Sequence, residues 1–185
     1  MTYAYTLFDT AIGRCGLVWG SRGVLGVQLP EKTFDATRTR LLRHCPAADE
    51  SEQPPKPIAR AVEDIRGLLQ GEKKLLRTVQ LDMSRTPAFN ARVFETARAI
   101  PPGCTRTYGE IARAIGDPNG ARAVGQALGR NPFPIVVPCH RVIGADGRMI
   151  GFSANGGVAM KLRMLQIEGW RAEEPSLFDA LASST

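Results

Sequence analysis

Between Thr86 and Gly129 the chain punctuates itself into short helices, and no other stretch restricts its fold as much. Thr86 is an N-cap candidate and Pro87 suits the first helical position, while Phe89, Val93, Phe94 and Ala97 form one apolar stripe. Pro101-Pro102-Gly103 ends that helix. Thr107-Tyr108-Gly109-Glu110 then fits a capping box, and Ile111 to Ile115 make a short helix stopped by Gly116. Asp117-Pro118 opens a further helix that runs to Leu128 and stops at Gly129. Two short helices around a Gly-Asp-Pro turn are a helix-turn-helix signature, although such pairs also occur in proteins that never touch DNA. The second helix tips the balance. Its run Ala121-Arg122-Ala123-Val124-Gly125-Gln126-Ala127 is small enough for backbone to approach a partner closely, and Arg122 projects from it. Val124 and Leu128 share a face and serve the core.

The first 85 residues read differently. Tyr3 to Phe8, Gly16 to Trp19 and Val24 to Leu29 are β-rich runs separated by Gly-bearing turns, so antiparallel strands are expected. Thr33 to His44 has helical composition, Asp49 to Pro57 reads as a surface loop, and Ile58, Val62, Ile65 and Leu69 keep helical spacing. Leu75 to Leu81 reads as one more strand. The fold class is therefore α+β. A scaffold over residues 1–85 precedes a mostly helical unit over residues 86–170, and an acidic tail follows over residues 171–185.

Composition excludes several classes. A hydrophobic fraction of 43% is ordinary for a globular chain, and no apolar stretch approaches the roughly 20 residues that span a bilayer. The start lacks the basic flank and apolar run of a signal peptide, so a cytoplasmic protein without membrane partners is expected. Cys15, Cys45, Cys104 and Cys139 form no Cys-x-x-Cys pair, which favours reduced thiols. His44-Cys45 with Cys15 is too weak a pattern to imply a metal, and no cofactor is expected. The net charge of +6 is unevenly spread: residues 86–170 hold ten Lys/Arg against five Asp/Glu. Every basic residue from Thr86 to Met160 is arginine, whose planar fork suits phosphate, so the bias points to an anionic partner.

Pro138-Cys139-His140-Arg141-Val142 carries the chemistry. A thiol is a strong nucleophile only as its thiolate, and a nearby imidazole is a common means of forming one. Taken alone, Cys139 would more often be a small buried hydrophobe. One of only two histidines beside it, and Pro132, Pro134 and Pro138 stiffening the approach, favour a preorganised site.

The pentapeptide, preceded by Arg122-Ala123-Val124-Gly125 and Gly129-Arg130-Asn131-Pro132, resembles the O6-alkylguanine-DNA alkyltransferase family. The similarity is dense from Thr86 to Gly169 and weaker in Asp9-Thr10-Ala11-Ile12-Gly13 and Gly26-Val27-Gln28-Leu29. The resemblance implies a ribonuclease H-like first domain and a winged-helix-like second one. It implies a monomer that repairs double-stranded DNA by moving an alkyl group irreversibly from O6 of guanine to a cysteine, with O4 of thymine a second candidate position. By the same resemblance Cys139 is the acceptor, His140 the base acting through a water, Glu168 the carboxylate that orients His140, and Asn131 the organiser of the turn. Arg122 is the intercalating finger and Tyr108 the group that rotates a phosphate and donates toward the base. Ala121, Gly125, Arg130, Arg141 and Gly156 are expected at the DNA, and Ser153 and Asn155 compete for the base-contacting position.

A guanine O6-alkyl carbon is inaccessible inside a duplex, so its nucleotide must be flipped into a pocket. Two rivals remain at this point. A lesion reader that flips without transfer would not need Cys139. A thiol hydrolase would need a direct Cys-His contact, which is awkward for neighbours on an extended chain because their side chains point apart.

Overall fold

The computed structural model describes residues 2–149 and 156–171. Three strands, β1 (Ala4–Thr10), β2 (Gly13–Gly20) and β3 (Gly23–Gln28), pair antiparallel in sequence, as the β-rich runs predict. Gly13 closes the first hairpin at φ +119, a conformation that glycine alone adopts easily, and Thr10 Oγ1 donates to its carbonyl at 2.6 Å. The period of two along β2 sorts side chains to two faces. Cys15, Leu17 and Trp19 enter the main core, whereas Val18 joins a smaller cluster with Tyr5, Leu41 and Cys45 beneath α1 (Phe34–Leu41). Thr33 caps α1 by accepting from the Ala36 N–H. Helix α2 (Lys56–Leu69) packs on the main-core face through Ile58, Val62, Ile65 and Leu69.

Two segments depart from expectation. Asp49–Glu50, inside the expected loop, forms β4 and pairs parallel with β1, giving the order β3-β2-β1-β4. Its stability is long-range: Asp49 and Ser51 donate to the carbonyls of Tyr3 and Tyr5, and Tyr5 donates its phenol to Glu50 Oε2 at 2.9 Å. The expected strand over Leu75–Leu81 is instead a 3-10 turn at Leu76–Thr78 followed by a single bridge from Leu81 to Val24. Arg98 explains this. Its guanidinium, buried at the end of α3 (Ala88–Arg98), takes the carbonyls of Leu76, Arg77 and Val79 at 2.9–3.0 Å, acceptors that a strand would have offered to a sheet.

The helical punctuation holds with two local corrections. Pro87, not Thr86, is the cap residue of α3, and Thr86 turns back to the Met83 carbonyl. The helix expected from Asp117-Pro118 begins only at Ala121, because residues 117–120 close a turn through Gly120 N–H to the Asp117 carbonyl. Between them α4 (Tyr108–Ala114) starts at the predicted capping box, with Thr107 and Glu110 satisfying each other's backbone N–H. Helix α5 (Ala121–Gly129) packs across α4 and α3, burying Val124, Ala127 and Leu128. A short parallel pair, β5 (Arg106–Thr107) with β6 (Val142–Ile143), ties the start of α4 to the segment before α6 (Gly157–Ile167). One core runs unbroken from Phe8 to Met164, across the expected boundary after residue 85. Among the described residues no helix is long and apolar enough to cross a membrane. The tail over residues 172–185 lies outside the described residues.

Candidate active site

The chain leaves α5 through Arg130 and enters a buried loop that delivers Cys139. Asn131 spans this loop: its Nδ2 donates to the Val137 carbonyl at 2.9 Å and its Oδ1 accepts the Phe133 N–H at 2.9 Å. The Val27 N–H reaches the Pro132 carbonyl at 2.8 Å, fastening the loop to β3, and the Phe133 ring meets Phe94 edge-on at 6.3 Å. Ile135, a buried β-branched residue, is held at φ +73. That backbone is costly for such a side chain and persists because prolines and packing on both sides enforce it. Asn131 therefore bridges the loop with both atoms of its amide.

Cys139, His140 and Arg141 form a 3-10 turn rather than the extended run expected. With three residues per turn, successive side chains diverge by about 120°, so Cys139 and His140 still do not face each other. Cys139 is half-buried. Burial pushes its thiol up, against the Asn131 side chain, the Lys161 charge and the N–H groups of Cys139 and His140, which all favour the thiolate. The resting group is thus a thiol, with neighbours that stabilise its anion once the proton has left.

His140 is fully buried, with Nε2 at 2.8 Å from Glu168 Oε1. Burial holds the imidazole below its ordinary range, and Glu168 pulls the other way. Burial alone would raise Glu168, but hydrogen bonds from His140 and Arg141 outweigh it and bring it down to about 2. At neutral pH the pair is therefore a neutral imidazole and a carboxylate. Nε2 carries the proton and donates to Glu168, which leaves Nδ1 as the basic nitrogen. Nδ1 has no hydrogen-bond partner among the described residues. Glu168 is the residue after α6, beyond the helical run, and contacts the turn 28 residues away in sequence.

Two cations complete the site; sequence reasoning misplaces one and passes over the other. The resemblance puts Arg141 at the DNA; the structure overturns this, because only 3% of it is exposed. Its Nε and Nη2 donate to the two oxygens of Glu168 at 2.8 Å each, and Nη1 donates to the Ile100 carbonyl at 2.6 Å. Lys161 carries no expected role. It is fully buried, donates to the Val142 carbonyl at 2.6 Å, lies 5.9 Å from the Tyr108 ring centroid, and is pushed down by burial to about 8. Nothing in a local window distinguishes a buried lysine from a solvated one. Tyr108 itself is half-buried, its phenol raised by burial and by the charge at Cys139.

The remaining expected residues lie outside this network. Arg122 and Arg130 stand exposed at the start and end of α5, and Ala121 and Gly125 of the same helix are half-buried. A Cβ at Gly125 would sit 3.7 Å from the Tyr108 ring, so this helix face and the site adjoin. Gly156 precedes α6 at φ +87. Ser153 and Asn155 lie outside the described residues. Among the described residues no three His, Cys, Asp or Glu side chains gather as a metal site would require; Cys15 is buried beside Thr10 and pushed up to about 12.

Residues 88–170 match the family described as "6-O-methylguanine DNA methyltransferase, DNA binding domain". The chain is 37% identical over 176 residues to the methylated-DNA--protein-cysteine methyltransferase of Mycobacterium tuberculosis, covering 95% of this chain and 98% of that one. Its fold resembles the crystal structure of the M. tuberculosis O6-methylguanine methyltransferase, with a TM-score of 0.70, 32% identity, and 97% and 99% of the two chains covered. It also resembles an M. tuberculosis OGT solved in complex with DNA, with a TM-score of 0.69, 34% identity, and 89% and 92% covered.

Proposed function

The chain belongs to the methylated-DNA--protein-cysteine methyltransferase family, and from that premise we propose how its own residues carry the reaction. It repairs DNA directly, moving an alkyl group from the damaged base to a cysteine of its own. The substrate is double-stranded DNA bearing O6-alkylguanine, and Cys139 is the acceptor. Its thiolate attacks the alkyl carbon in line, so a C–S bond forms as the C–O6 bond breaks. The electron pair leaves with guanine O6, and the base takes up a proton donated by the Tyr108 phenol. The proton shed by the Cys139 thiol to His140 balances the one that Tyr108 gives up. The product thioether is inert, so each molecule acts once.

One observation carries the assignment: His140 is buried and neutral, tied through Nε2 to an ionised Glu168, which leaves Nδ1 as the basic nitrogen on the residue after Cys139. A water between Nδ1 and the thiol relays the proton, since successive side chains of a 3-10 turn do not meet directly. Helix α5 is the DNA-docking element, small-sided for close approach, with Arg122 occupying the stack that the flipped nucleotide leaves. Arg130, Ala121, Gly125 and Gly156 line the contact. The unit of α4 and α5 is read as winged-helix-like, the N-terminal sheet as ribonuclease H-like, and the protein as a monomer.

The test is incubation with an O6-methylguanine duplex followed by peptide mass analysis. One added methyl on the Cys139 peptide, saturating at one per protein and absent from Cys139→Ser, is expected. Continued turnover, or tight binding without modification, would replace the assignment with a hydrolase or a lesion reader.

A further inference from the structure

Arg141 lies in the signature pentapeptide, yet its guanidinium turns inward and no part of the mechanism above uses it. We propose that Arg141 is a positioning residue for thiol activation, gripping both oxygens of Glu168 so that His140 keeps its proton on Nε2 and its lone pair on Nδ1; this role rests on the alkyl-transfer function proposed above.

The geometry is a fork on a carboxylate. Arg141 Nε meets Glu168 Oε2 and Nη2 meets Oε1, both at 2.8 Å, and the Gly103 N–H adds a third donor to Oε2 at 3.3 Å. His140 Nε2 takes the remaining direction on Oε1. Through Nη1 the guanidinium is itself anchored to the Ile100 carbonyl, beyond the end of α3. A two-point charged grip fixes both the orientation and the ionisation of its partner. No such grip is needed for packing alone. What it secures is the direction of one imidazole proton.

Remove the guanidinium and Glu168 becomes a buried anion whose carboxylate keeps, among the described residues, hydrogen bonds from a neutral imidazole and one backbone amide alone. Relief comes most easily from proton uptake by the His140–Glu168 pair. If the proton stays on the imidazole, Nδ1 is occupied. If it settles on the carboxyl, the carboxyl donates to Nε2 and the imidazole proton shifts to Nδ1. Both outcomes abolish the base. The charged groups facing the pair are Arg141 from the turn itself and Lys161 from α6, both of which oppose proton uptake by His140. Lys73, from the segment after α2, donates to the Glu168 backbone carbonyl. Cys139 adjoins within the turn, and Tyr108 of α4 packs against Lys161. Deleting Arg141 thus removes one of two cations that oppose protonation of the imidazole, so the pair must protonate at higher pH.

The experiment measures the single-turnover transfer rate from an O6-methylguanine duplex for wild type, Arg141→Gln and Arg141→Lys, between about pH 5 and about pH 9. In Arg141→Gln the acid limb is expected to move to higher pH by about one unit or more, with a deficit of roughly tenfold or more near pH 6 that shrinks as pH rises. Arg141→Lys restores the charge but not the fork, so its limb returns toward wild type while the rate stays a few-fold low. Uniform slowing at every pH with an unmoved limb would reduce Arg141 to a structural residue. A weaker affinity of Arg141→Gln for undamaged DNA, with a shallower salt dependence, would make it a phosphate contact instead. Should Arg141→Gln not fold, nitrogen NMR of wild-type His140 decides: a proton on Nε2 near pH 7 supports the grip, and one on Nδ1 overturns it. Failure of the wild type to alkylate Cys139 is a separate result, which would overturn the transfer function itself and this role with it.

Discussion

Activation of Cys139 comes down to two opposing influences on one sulfur. Burial favours the thiol, while the Asn131 amide, the Lys161 ammonium and two backbone N–H groups favour the thiolate. The sum leaves a thiol that must shed a proton before it reacts, and the proposed mechanism gives that proton to the neutral His140 held by Glu168. His140→Ala should therefore slow methyl transfer most where the thiol is still protonated. Because the thiol is raised, that window includes neutral pH and extends upward to the thiol's own ionisation. Above it the variant should converge on wild type, since thiolate then forms unaided. Single-turnover rates across pH check this, and a rate at neutral pH equal to wild type would remove His140 from the activation. Asn131 and Ile135 act one step earlier, by fixing where the sulfur sits.

At the scale of elements, the proposed function divides chemistry and DNA handling between different pieces. It assigns the reacting groups to the turn at Cys139–Arg141 and the end of α6, and the DNA-facing surface to α5. The two adjoin where the Tyr108 ring lies against Gly125, and the capping box at Thr107 and Glu110 sets where α4 begins and hence where Tyr108 stands. If Arg122 fills the vacated stack, it stabilises the flipped nucleotide without touching the alkyl carbon. Losing about 1.4 kcal/mol of that stabilisation lowers the flipped population roughly tenfold. Arg122→Ala should thus repair duplex DNA about tenfold more slowly or worse, yet react with free O6-alkylguanine base at close to the wild-type rate. Arg122→Lys should rescue only in part, because an ammonium does not stack as a guanidinium does. Equal slowing on both substrates would place Arg122 in the chemical site or the fold.

Across the whole molecule, the N-terminal sheet does more than sit beside the helical unit. Its core is continuous with the core beneath the active site, β3 holds the Pro132 carbonyl, and Arg98 of α3 holds three carbonyls of the segment before it. Arg98→Ala would strand those carbonyls, two of them in buried bonds, and should cost roughly 3 kcal/mol or more in urea unfolding. A loss under about 0.5 kcal/mol would mean that the guanidinium is not holding the halves together. The shared core also implies one cooperative transition, in which fluorescence of Trp19 and Trp170 and exposure of Cys139 change together. A fragment beginning at Thr86 should accordingly be far less stable than the full chain.

What the sequence determined by itself is the part governed by near neighbours. The hairpins, the Thr107 capping box, the stop at Gly116 and the apolar stripes of α2 and α3 follow from interactions within a few residues, and all are legible without coordinates. The signature around Cys139 was legible too, because three prolines, a thiol and an imidazole in one short stretch have few structural uses. Pairing across long loops was not. The strand at Asp49–Glu50, the parallel contact of β5 with β6, and the capture of residues 76–79 by Arg98 all depend on partners far away in sequence. Charge placement was the least legible. The resemblance puts Arg141 at the DNA and no expectation attaches to Lys161, yet both are buried, one on Glu168 and the other on the Val142 carbonyl. The same local sequence can leave an arginine or lysine in a core or in water, because its burial is decided by whether a distant carboxylate or carbonyl compensates the lost hydration. That compensation exists only once the chain has folded.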